Sequence, residues 1–513
     1  MDTSDRSDGQ RNSGLDRRQF LARGGLTAAV LAVVPSRVLA RESRTPPSER
    51  VNVACIGVGS QGLRVMLNFL RQPDVQVVSV CDPNTESSDY PQWGATEFRD
   101  AVRGLLGTST GWDSLSTTRA IELTRTMKVT GGTAGREPCQ KIVEACYATR
   151  KASGQYRGCT AYPDFRELLE KEKDVDAVVV CTSDHWHAPI SAAAMKKGKR
   201  VYCQKPMTRT VYEARRVAEV ARETGVATQV AVGNQASEAT RVLCEWVWGG
   251  AIGPVHQVVN WSSRPFWPQG VDRPRETPRV PAGLDWDLWL GPAPQRPYHP
   301  IYHPFSWRGW FDFGCGAIGD MGCYSFDTIF RVLKLEAPET VEGSSSEAFP
   351  ETHPKASVIH FAFPRRGTMP PVKVTWYDGG LRPPRPEGLD ENRKLAAEGL
   401  LFVGEQGSIL CGFTGDNPTL LPESRRKAYE LPPKTLPRSI GHDREWIEAC
   451  KGSRNTPGAN FGFSGLVTET ILLGNVALRT GERLLWDRAN LKATNTQAAQ
   501  PYIRPEYRQG WTL

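Results

Sequence analysis

The 513-residue chain has twelve cysteines but no C-x-x-C pair and no regular disulfide spacing. That argues against a zinc site and against a disulfide scaffold. Several of them, among them Cys55, Cys81, Cys181 and Cys203, end apolar runs, where cysteine behaves as a small hydrophobe. The chain also lacks a concentrated basic segment. Its net charge of +8 is scattered, with no lysine/arginine tail and no basic–aromatic alternation, so no nucleic-acid partner is expected. Near the N-terminus the apolar run Gly24 to Val34 is shorter than the roughly 20 residues that span a bilayer.

That short run has a definite setting. Adjacent Arg17 and Arg18 precede Phe20-Leu21, and Val38-Leu39-Ala40 offers a small-residue cleavage site. Residues 1–40 read as a twin-arginine signal peptide and 41–50 as a linker. The expected destination is the periplasm. The translocation machinery is then a partner, and no membrane anchor remains after cleavage. Such export carries folded proteins, often with a cofactor inside, and folding in a reducing cytoplasm leaves the cysteines as thiols.

What is present begins at Val51. The run Val51–Ile56 reads as a buried strand, Gly57-Val58-Gly59-Ser60-Gln61-Gly62 follows at once, and Leu63, Met66, Phe69 and Leu70 recur at helical spacing. Gly57, Gly59 and Gly62 permit a tight turn, close approach to a pyrophosphate and close helix–strand packing, while Ser60 and Gln61 open the helix. A second apolar strand, Val75 to Cys81, ends in Asp82, whose carboxylate suits ribose hydroxyls and repels a 2′-phosphate. The expected cofactor is NAD rather than NADP. Residues 83–135 are polar and rich in Ser, Thr and Gly, with a weakly helical piece at Thr96–Leu106. They read as an insertion that departs from the compact fold, as a lid or a subunit contact. The crossover pattern resumes with helices near Glu137–Thr149 and Asp164–Lys171 and with strand Val175–Cys181. That strand leads into Thr182-Ser183-Asp184-His185-Trp186-His187.

After helix Ala188–Lys197 a short strand ends in Tyr202-Cys203-Gln204-Lys205-Pro206. Parallel strands place Lys205, Gln204, Thr182, His185 and His187 at one sheet edge, where ligands bind. Each histidine reads equally as a packing or capping residue. Helix Val211–Thr224 and strand Thr228–Val232 lead to Asn234, and the nucleotide-binding half closes near residue 235.

From residue 236 the runs Val255–Trp261, Ser357–Phe363 and Val372–Tyr377 alternate between turns, as in an antiparallel sheet. Between them lies an aromatic cluster that includes Trp307, beside Arg308. Aromatic faces with polar neighbours suit a carbohydrate ring, although aromatics also fill cores. Asp320 and Tyr324 are four residues apart and share a helix face. Asp320 also reads as a helix cap, and Tyr324 as a core residue.

Together these motifs resemble the Gfo/Idh/MocA oxidoreductases. The likeness rests on Gly57-x-Gly59-x-x-Gly62, Asp82, Cys203-x-Lys205-Pro206 and Gly319-Asp320-x-Gly322-x-Tyr324-x-x-Asp327. Leu473-Gly474-Asn475, Trp486-Asp487 and Tyr507-Arg508-x-Gly510-Trp511 extend it to the C-terminus. The resemblance implies an α/β fold: an N-terminal Rossmann domain over 51–235, with its insertion at 83–135, and a C-terminal α/β domain over 236–513 with a large, mainly antiparallel open sheet. It implies a sugar, cyclitol or glycoside hydroxyl as substrate and bound NAD(P) as hydride carrier. Large open sheets often pair in this family, which leaves a homo-oligomer open. Lys205, Tyr324 and Asp320 become the catalytic set. Asn234, Trp307 and Arg308 join Asp320 and Tyr324 as substrate contacts. Gln204 stands where the family has glutamate, Tyr324 where many members have histidine, and Ser183 where proline is common.

In the mechanism expected from these residues, Tyr324 takes the hydroxyl proton, Lys205 holds the oxygen and depresses the phenol's pKa, and Asp320 orients the polyol. An exported enzyme meets no obvious free NAD pool, so the cofactor is expected to be tightly bound and regenerated in place. Oxidation of one sugar coupled to reduction of another does this. So does a redox-neutral glycoside hydrolysis by oxidation, elimination, addition and reduction, as in the NAD-dependent α-N-acetylgalactosaminidases. A non-catalytic sugar- or nucleotide-binding protein is the third reading.

Overall fold

The computed structural model describes residues 46, 49–123, 127–425, 429–430 and 432–513. The expected export signal lies outside them. From Glu49 to Leu513 the chain forms one compact unit.

The chain starts with β1 (Val51–Ile56), α1 (Ser60–Leu70) and β2 (Val75–Cys81). The insertion supplies β3 (Ser87–Gln92), α2 (Glu97–Leu106), β4 (Ser116–Glu122) and β5 (Lys128–Ala134). Next come α3 (Arg136–Ala148), β6 (Thr160–Tyr162), α4 (Phe165–Lys171) and β7 (Ala177–Val180). This half ends with α5 (His187–Lys196), β8 (Arg200–Cys203), α6 (Val211–Thr224) and β9 (Thr228–Val230). Six strands make a parallel sheet in the order β6-β2-β1-β7-β8-β9. Its central strands are almost wholly apolar, as strands covered on both faces must be. The strand order reverses beside β1, so the loops after β1, β2, β7 and β8 open together at one edge.

The insertion is more ordered than its composition predicts. Residues 83–135 build a separate antiparallel sheet in the order β3-β5-β4. Phe98, Val102 and Leu115 are buried in the same core as Leu63 and Met66. The expected departure from a compact fold is therefore corrected. Register shifts between Ser87 and Tyr90 and between Ser116 and Ala120 break the period-2 pattern, and the Ser, Thr and Gly content masks the rest. The insertion also crosses to the other half of the molecule. The Thr85 amide donates to the Gly283 carbonyl at 2.7 Å, and Leu123 packs with Trp267 and Phe305.

The C-terminal half holds α7 (Glu238–Trp248), β10 (Val255–Trp261), α8 (Gly316–Leu333) and β11 (Thr340–Ser345). It continues through β12 (Ser357–Phe363), β13 (Val372–Tyr377), β14 (Gly399–Gly404), β15 (Gly407–Cys411) and β16 (Thr419–Leu421). After α9 (Phe461–Thr480) come β17 (Leu484–Asp487) and β18 (Lys492–Ala493). Nine strands form one sheet, β16-β15-β14-β10-β13-β12-β11-β17-β18. Every pairing is antiparallel except β10 with β13. The three runs read as strands from the sequence are three of its central members. Helix α9 is apolar and long enough to cross a membrane, yet most of it is buried against α6 and α8. It is the core helix that joins the two halves. All twelve cysteines are unpaired, eleven of them buried.

The C-terminal segment stitches back onto the nucleotide-binding half. Tyr507 Oη donates to Glu213 Oε1 at 2.6 Å, and the Trp511 ring meets Trp186 edge-on at 4.9 Å. Asn475 Nδ2 donates to the Cys315 carbonyl at 2.8 Å and so anchors the start of α8.

The turn after β1 depends on two glycines. Gly57 has a φ of +81°, and a Cβ on Gly62 would sit 1.8 Å from the Gly57 carbonyl oxygen. Gly62→Ala forces backbone apart at this point, so it should lower stability by about 1–3 kcal/mol. Urea denaturation followed by circular dichroism measures the loss; an unchanged midpoint would show that the turn relaxes freely.

Candidate active site

A cleft opens at the sheet edge between the two halves. Its walls include Gly57, Gly59, Ser60, Gln61, Asp82, Thr182, Gln204, Lys205, Trp307, Arg308, Asp320 and Tyr324. Residues distant in sequence thus converge on one space, because the turns after parallel strands share an edge and α8 lies across it.

Lys205 is fixed by backbone first. The Gln204 amide donates to the Val180 carbonyl at 2.8 Å, extending the β7–β8 ladder one residue and aiming the next side chain out of the sheet. Lys205 Nζ donates to Asp320 Oδ1 and to the Asp320 carbonyl, both at 2.9 Å. Asp320 lies one turn inside α8, which begins at Gly316, so it is not the cap of that helix. Arg308 Nε reaches the same carboxylate oxygen at 3.3 Å. Burial alone would raise the Asp320 carboxyl, but the Lys205 and Arg308 charges hold it below its ordinary value. For Lys205, burial opposes the charge, and Asp320 more than reverses this, holding the ammonium above its usual range. Both groups are ionised at neutral pH.

Tyr324 lies one helical turn beyond Asp320, with its ring centroid 5.1 Å from Lys205 Nζ. Burial raises its phenol above the ordinary value, and the nearby Lys205 charge offsets only part of this. The expectation of a depressed phenol is therefore corrected: desolvation outweighs the ammonium, and Tyr324 is held protonated. Asn234 does not line the cleft. Its Nδ2 donates to the Tyr324 carbonyl at 2.7 Å and to Thr328 Oγ1 at 3.0 Å, which fixes α8 from behind.

The histidines also stand behind the site rather than in its wall. His185 is fully buried among Trp289, Trp186 and Phe313, with Nε2 3.0 Å from the Trp289 carbonyl. His187 sets Nδ1 2.7 Å from the Pro206 carbonyl and Nε2 3.1 Å from the Thr182 carbonyl, and its neutral ring donates to one of the two. Burial pushes the two down to about 3 and about 4, so both are neutral and brace the turns after β7 and β8.

The residues at the glycine turn fit a dinucleotide. The first turn of α1 offers free amides to an anion, and Ser60 Oγ is buried without a partner among the described residues. Gly59 makes room for a side chain of the insertion: a Cβ there would lie 2.5 Å from the Tyr90 ring. Asp82 is committed first to its own loop, accepting from the Val58 amide at 2.8 Å and the Asn84 amide at 2.9 Å. Burial pushes its carboxyl up to about 6. A ribose would share oxygens that already fasten the turn.

Asp184 is a site residue that sequence reasoning missed. It is 1% exposed and lines the cleft, and among the described residues its buried carboxylate oxygens have no hydrogen-bond partner beyond the Cys315 thiol alongside. Burial and the neighbouring Asp320 charge push it up to about 7, against the pull of Arg308 and Lys205. In sequence it sits beside the flagged Thr182 and His185, but an aspartate opening a helical turn reads as a cap.

Two outcomes follow from these electrostatics. Asp320→Ala leaves two cations without their anion and should cost about 3–5 kcal/mol in urea unfolding; Lys205→Met combined with Asp320→Leu should cost less than the two single changes summed. Strict additivity would refute the pair. Asp184 has a raised folded-state pKa, so its penalty is absent below the unfolded value near 4 and grows as pH rises toward 7. Asp184→Asn should therefore raise Tm relative to the parent more at pH 8 than at pH 4.5. A pH-independent difference would show that Asp184 does not titrate anomalously.

The family profile described as an oxidoreductase family, NAD-binding Rossmann fold, matches residues 130–232, and the profile of its C-terminal alpha/beta domain matches residues 255–513. Among curated relatives, 1,5-anhydro-D-fructose reductase of Ensifer adhaerens is 27% identical over 39% of this chain and 49% of its own length. Glycosyl hydrolase family 109 protein 2 of Shewanella sp. ANA-3 is 26% identical over 39% of this chain and 36% of its own. The chain thus spans less than half the length of these relatives. Among solved structures, the WlbA dehydrogenase of Bordetella pertussis, in complex with NADH and UDP-GlcNAcA, superposes with a TM-score of 0.51 at 14% identity. That match covers 85% of this chain and 99% of the other, and shows the shared fold. With one profile covering more than half of its length, the chain belongs to the Gfo/Idh/MocA oxidoreductase family.

Proposed function

We propose that this protein is an NAD-dependent oxidoreductase acting on a hydroxyl of a sugar, cyclitol or glycoside. The observation that carries the reading is the Lys205–Asp320–Arg308 charge cluster set beside the Tyr324 phenol, in the cleft that begins at the glycine turn. Gly57–Gly62, Ser60, Thr182, Gln204 and Asp82 would hold the cofactor, which supplies hydride exchange at the carbon bearing the reacting oxygen. NAD over NADP rests on the Asp82 carboxylate, which suits ribose hydroxyls; the neighbouring Arg136 guanidinium is engaged by the Asp82 carbonyl at 2.6 Å and Thr85 Oγ1 at 3.1 Å.

In this reading Lys205 donates a hydrogen bond to the reacting oxygen and stabilises it as an alkoxide forms. Asp320 keeps the ammonium charged and in place, and offers its second oxygen to a neighbouring hydroxyl. Tyr324, held protonated by burial, delivers its proton to the alkoxide when a carbonyl is reduced. In the opposite direction it must first become a phenolate, which Lys205 favours and burial resists. Reduction should therefore run well at neutral pH, while oxidation should climb into the alkaline range.

A second reading has its own support. A relative named as a glycosyl hydrolase family 109 protein matches this chain about as well as one named as a reductase. Redox-neutral hydrolysis would use the same Lys205 and Tyr324 for oxidation and for the closing reduction. The export signal read at residues 1–40 is part of the proposal too: a periplasmic enzyme keeps its cofactor bound and returns it to its starting state within each cycle.

Mass spectrometry of the denatured mature protein is expected to find NAD near stoichiometry; a protein that comes empty and turns over exchangeable NADP overturns the cofactor reading. Tyr324→Phe should lower turnover by about 10²–10⁴-fold. Combined with Lys205→Ala, it should add much less than the product of the two single losses. NMR of a glycoside panel separates the reactions. Free sugar without net NADH marks the hydrolase, and an oxidised sugar marks the oxidoreductase.

A further inference from the structure

The insertion brings aromatic surface into the cleft. Trp93 follows β3 by one residue and lines the same space as Lys205 and Tyr324. Its ring meets Phe266 edge-on at 5.9 Å and Phe305 at 6.0 Å, while those two rings stack 6.2 Å apart with 8° between their planes. Despite these contacts Trp93 is 51% exposed. An indole gripped by two neighbouring rings, yet left half open, presents apolar surface that the fold could have buried but does not. The three residues come from three separate segments: the insertion, the loop after β10, and the loop before α8.

The surroundings narrow what such a wall would take. The Arg308 guanidinium lies 4.3 Å from the Phe305 centroid, and its Nε pairs with Asp320. Arg64 lies 5.8 Å from the Trp93 centroid and is held by Glu97 through bonds of 2.6 and 2.9 Å. Arg64 is paired with Glu97, and Arg308 shares Asp320 with Lys205, so the guanidiniums beside the wall are already engaged by carboxylates. Apolar faces beside hydrogen-bonding side chains match a pyranose, with its C–H faces and hydroxyl edges. Met321 follows Asp320 and packs against the cluster that contains Phe305 and Trp267, so this wall adjoins the reacting site rather than lying apart from it.

We propose that Trp93, Phe266 and Phe305 form a second sugar-ring subsite at the cleft mouth, and that the substrate is a glycoside or disaccharide whose unreacted ring stacks there. The proposal rests on the reading that the inner site takes a sugar. Its test is calorimetric binding to the full-length protein with cofactor present. The probes are methyl glycosides of glucose, galactose and N-acetylglucosamine, compared with cellobiose, maltose, lactose and chitobiose. At least one disaccharide should bind about tenfold more tightly than its single-ring counterpart. Trp93→Ala should remove that preference and Trp93→Phe should keep most of it; Phe266→Ala tests the opposite side of the wall. Equal affinity for one and two rings in the parent overturns the subsite and leaves the inner-site reading standing. So does a preference that survives Trp93→Ala. Absence of binding by every sugar, of either size, overturns the inner-site reading and the subsite with it.

Discussion

The ion pair between Lys205 and Asp320 is the constraint on which the site depends. It joins the end of a strand in one half to the middle of a helix in the other, at 2.9 Å and with both side chains largely buried. Two isolated charges would be far too costly in that place. Together, and with Arg308 on the same carboxylate, they set the distance between sheet edge and helix to within hydrogen-bond tolerance. Tyr324, one turn along the helix, inherits its position from that contact, and Asn234 fixes the same turn from the far side. The proton-handling groups are thus located by electrostatics, and the apolar core helix Phe461–Thr480 supplies the rigidity behind them.

The insertion changes what the cleft is. A bare nucleotide-binding sheet would present its glycine turn to solvent. Here Tyr90 packs onto Gly59, and Trp93 reaches the aromatics of the C-terminal half. The three-stranded sheet behind these two residues shares its apolar core with the first helix of the nucleotide-binding domain. It is therefore packed into the fold over that shared core. Backbone hydrogen bonds between Thr85 and Gly283 and between Pro83 and Asp285 fasten its base to the other half.

Much of this was legible in the sequence where one physical signal dominated. The strand–turn–helix at Val51–Leu70 announced itself through a continuous apolar run, three glycines and helical periodicity. The strands at 255–261, 357–363 and 372–377 did so through alternation. The sheet edge that brings Lys205 and Thr182 together follows from parallel topology alone. Signals failed where two forces compete. The insertion's strands are written in Ser, Thr and Gly with bulged registers, so no period survives. His185 and His187 look chemical in sequence, yet burial makes them neutral braces. Tyr324 sits beside an ammonium, and only the depth of its pocket reveals that desolvation wins. Asp184 had the bland look of a turn-opening aspartate, and its environment is a property of the folded cleft alone.

The charge balance of the cleft follows from these competitions. Two cations, Lys205 and Arg308, share one ionised carboxylate, Asp320, while Gln204 is neutral and Asp184 is pushed up to about 7. Burial and the Asp320 charge leave Asp184 only partly ionised at neutral pH, against the pull of Arg308 and Lys205. Around Asp320 the inner cleft therefore carries a surplus of positive charge, with Asp184 only partly ionised. That surplus sits around Lys205, where an oxygen gains negative charge as a carbonyl is reduced or a hydroxyl gives up its proton. A preorganised positive field in a water-poor site lowers the energy of that developing alkoxide without any rearrangement at the moment of reaction. A carboxylate at position 204 or a fully ionised Asp184 would cancel it. The neutral glutamine and the buried acid act in the same direction, keeping the field of the lysine directed at the substrate.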